Sequence, residues 1–312
     1  MPSPRAAPSP IEDYALIGDK QTAALVSRAG SIDWLCLPRF DAGACFAALL
    51  GGPEHGRWLV APAGEVRKVE RAYRPDTLVL DTTFHLDEGA VTVTDCMPIR
   101  ESRPHVVRVV RGVRGRVKVR TELIVRFDYG SIVPWVRKRP GDGLIVIAGP
   151  DALHVQSEIP LRGEGLTTVG EIDVAEGQTF AMSLTWQPSH LKPPHPLDAR
   201  AVVEETERRW RAWVAHCTYD GEWRDTVVRS LITLSALTHA STGGIVAAPT
   251  TSLPEALGGS RNWDYRYCWL RDATFTLLAL VHNGFLDEAR AWREWLLRAA
   301  AGDASKLQIL YG

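Results

Sequence analysis

The fifteen residues from Gly258 to Asp272 read Gly-Gly-Ser-Arg-Asn-Trp-Asp-Tyr-Arg-Tyr-Cys-Trp-Leu-Arg-Asp and gather three arginines, two aspartates, two tyrosines and two tryptophans. A sugar presents a rim of hydroxyls around an apolar C–H face. Its site needs planar charged groups that fix hydroxyls and aromatic faces on which the ring can lie. Arg271 and Asp272, at the predicted start of a helix, supply the first, and Tyr265 and Trp269, four residues apart, supply the second. A buried Arg–Asp pair with aromatic packing between helices would use the same residues, and composition does not separate the two.

Other chemistry-bearing residues nearby carry less. Glu255 belongs to the Gly- and Pro-rich stretch that runs into this segment and Asp264 lies within it. Either could reach a substrate, although most loop carboxylates cap helices or meet solvent. Glu204, Glu205 and Glu207 are expected to pair with Arg208, Arg209 and Arg211 along a wet helix face. His216, His239 and His282 stand singly near helix ends, where the helix dipole accounts for them, and their spacing makes no metal site. Cys36, Cys45, Cys96, Cys217 and Cys268 are odd in number and scattered, without a CxxC pair, which argues against a disulfide framework and structural zinc. Neither a metal nor a cofactor is called for.

These residues must be held by two kinds of element. From Ile11 to about Pro188 short alternating segments, such as Leu144–Ala148 and Phe180–Trp186, are punctuated by Gly, Pro and Asp, the pattern of an antiparallel β-sandwich. Thr22–Ser27 and Ile32–Leu37 flank an Ala-Gly-Ser turn and read as a hairpin. The run Arg108–Arg120 alternates valine with basic residues, as a strand with one solvated face does. After Pro193, Pro194 and Pro196 the period becomes helical: 198–217 with Asp198 as N-cap, 222–240, 270–282, and 287–300 capped by Asp287. The expected division is a disordered tail over 1–10, a sandwich domain over 11–190, a linker with a helix over 191–220 and an all-α region over 221–312.

Composition closes off several classes. A formal net charge of -1 offers no general attraction to nucleic acid or anionic membrane. No apolar run approaches the ~20 residues that cross a bilayer, and the opening Met-Pro-Ser-Pro lacks the apolar core of a signal peptide, so a cytoplasmic protein is expected. Eleven tryptophans mean either a heavily aromatic core or a sugar-binding surface.

The segment Asn262–Asp272 resembles the first active-site segment of glycoside hydrolase family 15, the glucoamylase and trehalase type. Ile11–Lys20 and Gly30–Asp41 are similar to the trehalase-like N-terminal domain of its bacterial members. The resemblance implies an (α/α)6 barrel after the sandwich, of which this chain would carry only the first helices. It implies that Arg271 and Asp272 hydrogen-bond the innermost glucose and that Tyr265 and Trp269 line its subsite. It also implies inverting hydrolysis of a terminal α-glucosidic bond in trehalose, maltooligosaccharides or longer α-glucans, by two glutamates beyond residue 312. On that reading the 312 residues alone are a truncated, inactive chain that self-associates through exposed barrel surface. The alternatives are a non-catalytic carbohydrate-binding protein and an assembly fragment.

Overall fold

The computed structural model describes residues 9–139, 143–300, 305 and 307–312. Most of the expected tail, residues 1–8, lies outside the described residues, and Pro10 leads into a 3-10 turn at Ile11–Asp13. The alternating segments form strands β1 (Tyr14–Gly18), β2 (Ala23–Ser27), β3 (Ser31–Cys36), β4 (Ala44–Phe46), β5 (Arg57–Pro62), β6 (Lys68–Tyr73), β7 (Leu80–His85) and β8 (Gly89–Cys96). There follow β9 (His105–Ile124), β10 (Trp135–Arg139), β11 (Gly143–Ala148), β12 (Asp151–Ser157), β13 (Leu161–Glu164), β14 (Thr167–Ala175) and β15 (Thr179–Pro188). All pairings among them are antiparallel, and β2 and β3 form the expected hairpin.

The strands make two layers joined by β9. One layer runs β1-β2-β3-β5-β9-β14-β13, with β4 on β3, and the other runs β6-β7-β8-β9-β15-β12-β11-β10. The first part of β9 pairs with β8 and β15, and its last part with β5 and β14. Two glycines sit where it passes from one layer to the other. A Cβ at Gly112 would stand 2.0 Å from the Ala175 carbonyl oxygen, and one at Gly115 (φ +63) 2.2 Å from that of Glu88, so no larger residue fits the crossing. Between the layers lie Ile17, Val26, Trp58, Phe84, Val93, Val110, Leu153 and Leu184, all buried. Each such side chain contributes about 1.5–3 kcal/mol of burial, which is what holds two amphipathic sheets face to face.

Arg108 breaks the expected solvated face of β9. It is fully buried, its Nε donates to Asp95 at 2.7 Å, and its other nitrogens donate to the carbonyls of Gly30 and Trp58. Asp95 belongs to β8, whereas Gly30 and Trp58 belong to the opposite layer, so one side chain pins both sheets. Farther along, Arg111, Arg114, Arg116 and Lys118 do face solvent.

After Pro188 the chain forms α1 (Ala199–Val214), α2 (Arg224–Ala236), α3 (Leu270–His282) and α4 (Leu286–Ala299), with a two-residue ribbon of β16 (Cys268–Trp269) and β17 (Leu310–Tyr311) beside α3. The Asp198 side chain accepts from the Arg200 and Ala201 amides at 3.1 Å, the cap that the sequence predicts. Val203 and Ala199 pack on Val107 and Ala181 of the second sheet, while Trp210 and Val214 meet Leu78 and the α2 residues Val228 and Ile232. Glu205 and Glu207 pair with arginines one turn on, but Glu207 is nearly buried and also binds Arg74 of the sheet region, so its face is not wet.

Two further expectations are corrected. α2 ends at Ala236, before Thr238 bridges to Ile245, and α4 begins at Leu286 without a side-chain cap, leaving Asp287 in the first turn bonded to Arg290. Among the described residues no helix is long and apolar enough to cross a membrane.

Candidate functional site

The long stretch between α2 and α3 folds back on itself. The Ala248 amide donates to the Tyr265 carbonyl at 2.9 Å, that of Ser252 to Trp263 at 2.8 Å, and that of Glu255 to Arg261 at 2.9 Å. The Gly- and Pro-rich arm therefore lies antiparallel to the arginine- and aromatic-rich arm and turns through an exposed tip that includes Leu257. The second arm enters β16 and then α3, for which Trp269 is the N-cap residue.

At this junction Tyr265 and Trp269 meet edge to face at 5.5 Å, and Trp263 meets Trp269 edge to face at 6.3 Å. Edge-to-face geometry of this kind is what the ring quadrupoles favour. The indole Nε1 of Trp269 donates to the Asp264 carbonyl at 2.9 Å, which sets the ring's orientation. Arg271 and Asp272 follow in the first turn of α3, with Arg271 Nη2 3.2 Å from Asp272 Oδ2. Arg271 is largely exposed, its side chain at 71%. All four residues singled out in the sequence thus lie on one short stretch of chain, and the Arg271–Asp272 pair still has open hydrogen-bonding capacity toward solvent.

The buried Arg–Asp pair that composition also allowed exists, but it is a different one. Arg266 is buried and grips Asp264 through Nε and Nη2 at 2.7–3.2 Å. Burial alone would raise the Asp264 pKa, but the hydrogen bonds and charge of Arg266 outweigh it and hold the carboxyl below its ordinary value. Glu255 accepts from Trp263 Nε1 at 3.2 Å and stands 3.5 Å from Arg261. Both loop carboxylates are therefore engaged with arginines, Glu255 at an exposed site and Asp264 at a half-buried one.

His239 departs from the dipole reading. Burial first, then Arg100 and Arg39, push its imidazole below the ordinary value, so it is held neutral rather than as a cation favoured by a helix terminus. It lines a cavity of about 300 Å³ with Arg39, Asp41, Tyr267, Trp295 and Tyr311. Cys268 and Tyr311 are direct partners across the ribbon and also line it, whereas Trp269 pairs with Leu310 and does not, so the cavity lies on the other face of the ribbon from Trp269. A hollow of about 350 Å³ lies between β10–β11 and the β13–β14 arm, and none of Tyr265, Trp269, Arg271 and Asp272 lines it. No group of His, Cys, Asp and Glu among the described residues could hold a metal.

The architecture is thus a two-layered antiparallel β part joined through one long strand, followed by helices, the third of which opens on an aromatic and Arg–Asp segment. Over residues 5–187 the chain matches the trehalase-like N-terminal family, and over residues 221–312 glycosyl hydrolases family 15. It is 33% identical to a trehalase of Mycolicibacterium smegmatis, over 97% of this chain and 50% of that protein. It is 32% identical to a trehalase of Thermoplasma volcanium, over 89% and 46% respectively. A bacterial glucoamylase solved with acarbose superposes with a TM-score of 0.69 at 13% identity, over 96% of this chain and 52% of that one, a likeness of fold. The chain belongs to the trehalase-like members of glycosyl hydrolases family 15 and spans about half the length of the curated relatives it matches.

Sequence reasoning missed Arg266 and Tyr129, whose hydroxyl Arg266 reaches at 2.6 Å. Their separation of 137 residues carries no periodic or motif signal.

Proposed function

We propose that residues 221–312 form the glucose-holding wall of an inverting α-glucosidase, beside a trehalase-like sandwich over 11–190 and a linker over 191–220. The observation that carries this is the grouping of Tyr265 and Trp269, ring against ring, with the solvent-facing Arg271–Asp272 pair at the start of α3. A glucose placed there lays its apolar face on an aromatic ring, accepts hydrogen bonds from the Arg271 guanidinium and donates to the Asp272 carboxylate. Trehalose, maltooligosaccharides and longer α-glucans all offer a terminal α-glucose to such a wall, and the trehalase relatives favour trehalose.

Inverting hydrolysis needs a carboxylic acid on the leaving oxygen and a carboxylate on the attacking water, about 6.5–9.5 Å apart. The family resemblance implies a glutamate for each of these two roles. A second reading, sugar binding without turnover by these 312 residues, is favoured by the pairing of Glu255 with Arg261 and of Asp264 with Arg266. The expressed 312-residue chain is accordingly expected to bind trehalose and to release no glucose from trehalose or maltose above background. A calorimetric titration and a glucose-release assay on homogeneous protein test both halves. Absence of binding sinks the sugar wall, and glucose release that disappears in Glu255→Gln makes that loop carboxylate catalytic after all.

A further inference from the structure

Arg266 lies inside the segment assigned to sugar, yet it faces the first sheet. Its Nη1 donates to the Tyr129 hydroxyl at 2.6 Å and to the Ala42 carbonyl at 3.0 Å, with Cys36 Sγ at 3.6 Å, and its guanidinium stands 5.5 Å from the Tyr129 ring centroid. Tyr129 is itself held in a left-handed conformation, φ 57 and ψ 30, beside Asp128 at φ 49. Side-chain-bearing residues rarely occupy that region unless the surroundings enforce it. From Arg266 the linkage runs to both carboxylate oxygens of Asp264, and the Asp264 carbonyl accepts the Trp269 indole N–H. A second tie joins the same parts, for Trp34 Nε1 of β3 donates to the Pro249 carbonyl at 2.7 Å on the opposite arm of the loop.

We infer that Tyr129 and Arg266 are positioning residues through which the β-rich part of the chain fixes the Trp269 ring, so that this part belongs to the sugar site and is not merely beside it. The inference rests on the reading that Trp269 lines that site. A planar guanidinium engaged on two rigid segments and on a carboxylate admits few orientations. It passes that restriction along the short chain to Trp269. Lysine has the charge but not the fork, and phenylalanine has the ring but not the acceptor.

The test uses the 312-residue chain labelled with 5-fluorotryptophan, the Trp269 resonance being assigned by Trp269→Phe. Tyr129→Phe and Arg266→Lys are compared with Tyr73→Phe, which likewise removes one tyrosine hydroxyl bond of the β-rich part, from Tyr73 to the Leu16 carbonyl at 2.7 Å. In Tyr129→Phe the fluorine resonance of Trp269 moves or broadens while that of the buried Trp210 stays. Trehalose affinity falls about tenfold, the factor that loss of one hydrogen bond commands. Arg266→Lys does the same more strongly, and Tyr73→Phe does neither.

An unchanged Trp269 resonance in Tyr129→Phe overturns the inference while leaving the sugar wall standing if Arg271→Ala still loses trehalose. A shifted resonance with wild-type affinity overturns the positioning role, reducing the contact to packing. If the unmutated chain binds no trehalose, the sugar wall falls, and the positioning role falls with it.

Discussion

Arg108 sits in a run of basic residues, yet its guanidinium is fully buried between the two sheets against Asp95, with its cation 5.4 Å from the Trp58 ring centroid. Removing one member of such a pair strands the other without water or a counter-charge. Arg108→Met is expected to destabilise the chain by about 3–5 kcal/mol, whereas Arg108→Met combined with Asp95→Leu costs distinctly less. Urea unfolding of the single and double variants checks this, and a single variant within 1 kcal/mol of wild type contradicts it. The alternation of valine and arginine revealed the strand but not this residue. What buries Arg108 is the pairing of β9 with β8 and the approach of the other layer, and neither leaves a mark on a local period. Arg266 escaped for the same reason, its partners being contributed by Cys36, Ala42 and Tyr129. Tyr265, Trp269, Arg271 and Asp272 could be singled out because they lie within eight residues of one another and because the resemblance falls on them.

The strands impose a pH dependence of their own. His105 at the start of β9 bonds Thr185 of β15 at 2.8 Å, and His154 of β12 accepts from Arg139 of β10 at 3.2 Å. Burial, reinforced by Arg103 with Arg100 near His105 and by Arg139 with Arg103 near His154, pushes both imidazoles from 6.5 down to about 4. Because the folded values are depressed, the unfolded chain takes up the protons first. The stability these groups contribute is therefore present above about pH 6.5 and is lost as pH falls toward about 4. We expect the unfolding free energy to drop over that window by at most about 3 kcal/mol for each histidine, and a His105→Asn/His154→Gln double variant to show a flatter profile. Urea midpoints at several pH values decide it, and equal slopes for the two proteins would refute the assignment. At this scale much was readable: the hairpin of β2 and β3, the Asp198 cap and the span of α3 from Leu270 to His282 follow from local turn, cap and period chemistry. The start of α4 was not, since Asp287 suits a first turn as well as a cap.

Across the molecule the tryptophans differ widely in burial, and Trp135 and Trp223 are exposed away from both the core and the loop. Trp34, Trp58 and Trp210 are core, while Trp263 stays exposed beside the segment assigned to sugar. The helices bury more than their sequence suggested: Leu231, Leu280, Trp292 and Trp295 pack among themselves and on the loop, and Leu277 and Leu296 are half-covered. Phe275, Leu278, Leu286 and Leu297 remain exposed on α3 and α4. Apolar surface of that extent recruits a partner, so the 312-residue chain is expected to self-associate, with Phe275→Ser/Leu278→Ser restoring a monomer. Light scattering at rising concentration reads this directly, and a strictly monomeric wild type would count against it. The central claim, that Arg271 and Asp272 act as one unit on an α-glucose, meets its most direct test in a double-mutant cycle of trehalose affinity. The account predicts that Arg271→Ala and Asp272→Ala each weaken binding by about 1.5–3 kcal/mol, the range for hydrogen bonds to charged groups, and that the double variant loses little more than either, because the two act as one unit. Wild-type affinity in both single variants would contradict it.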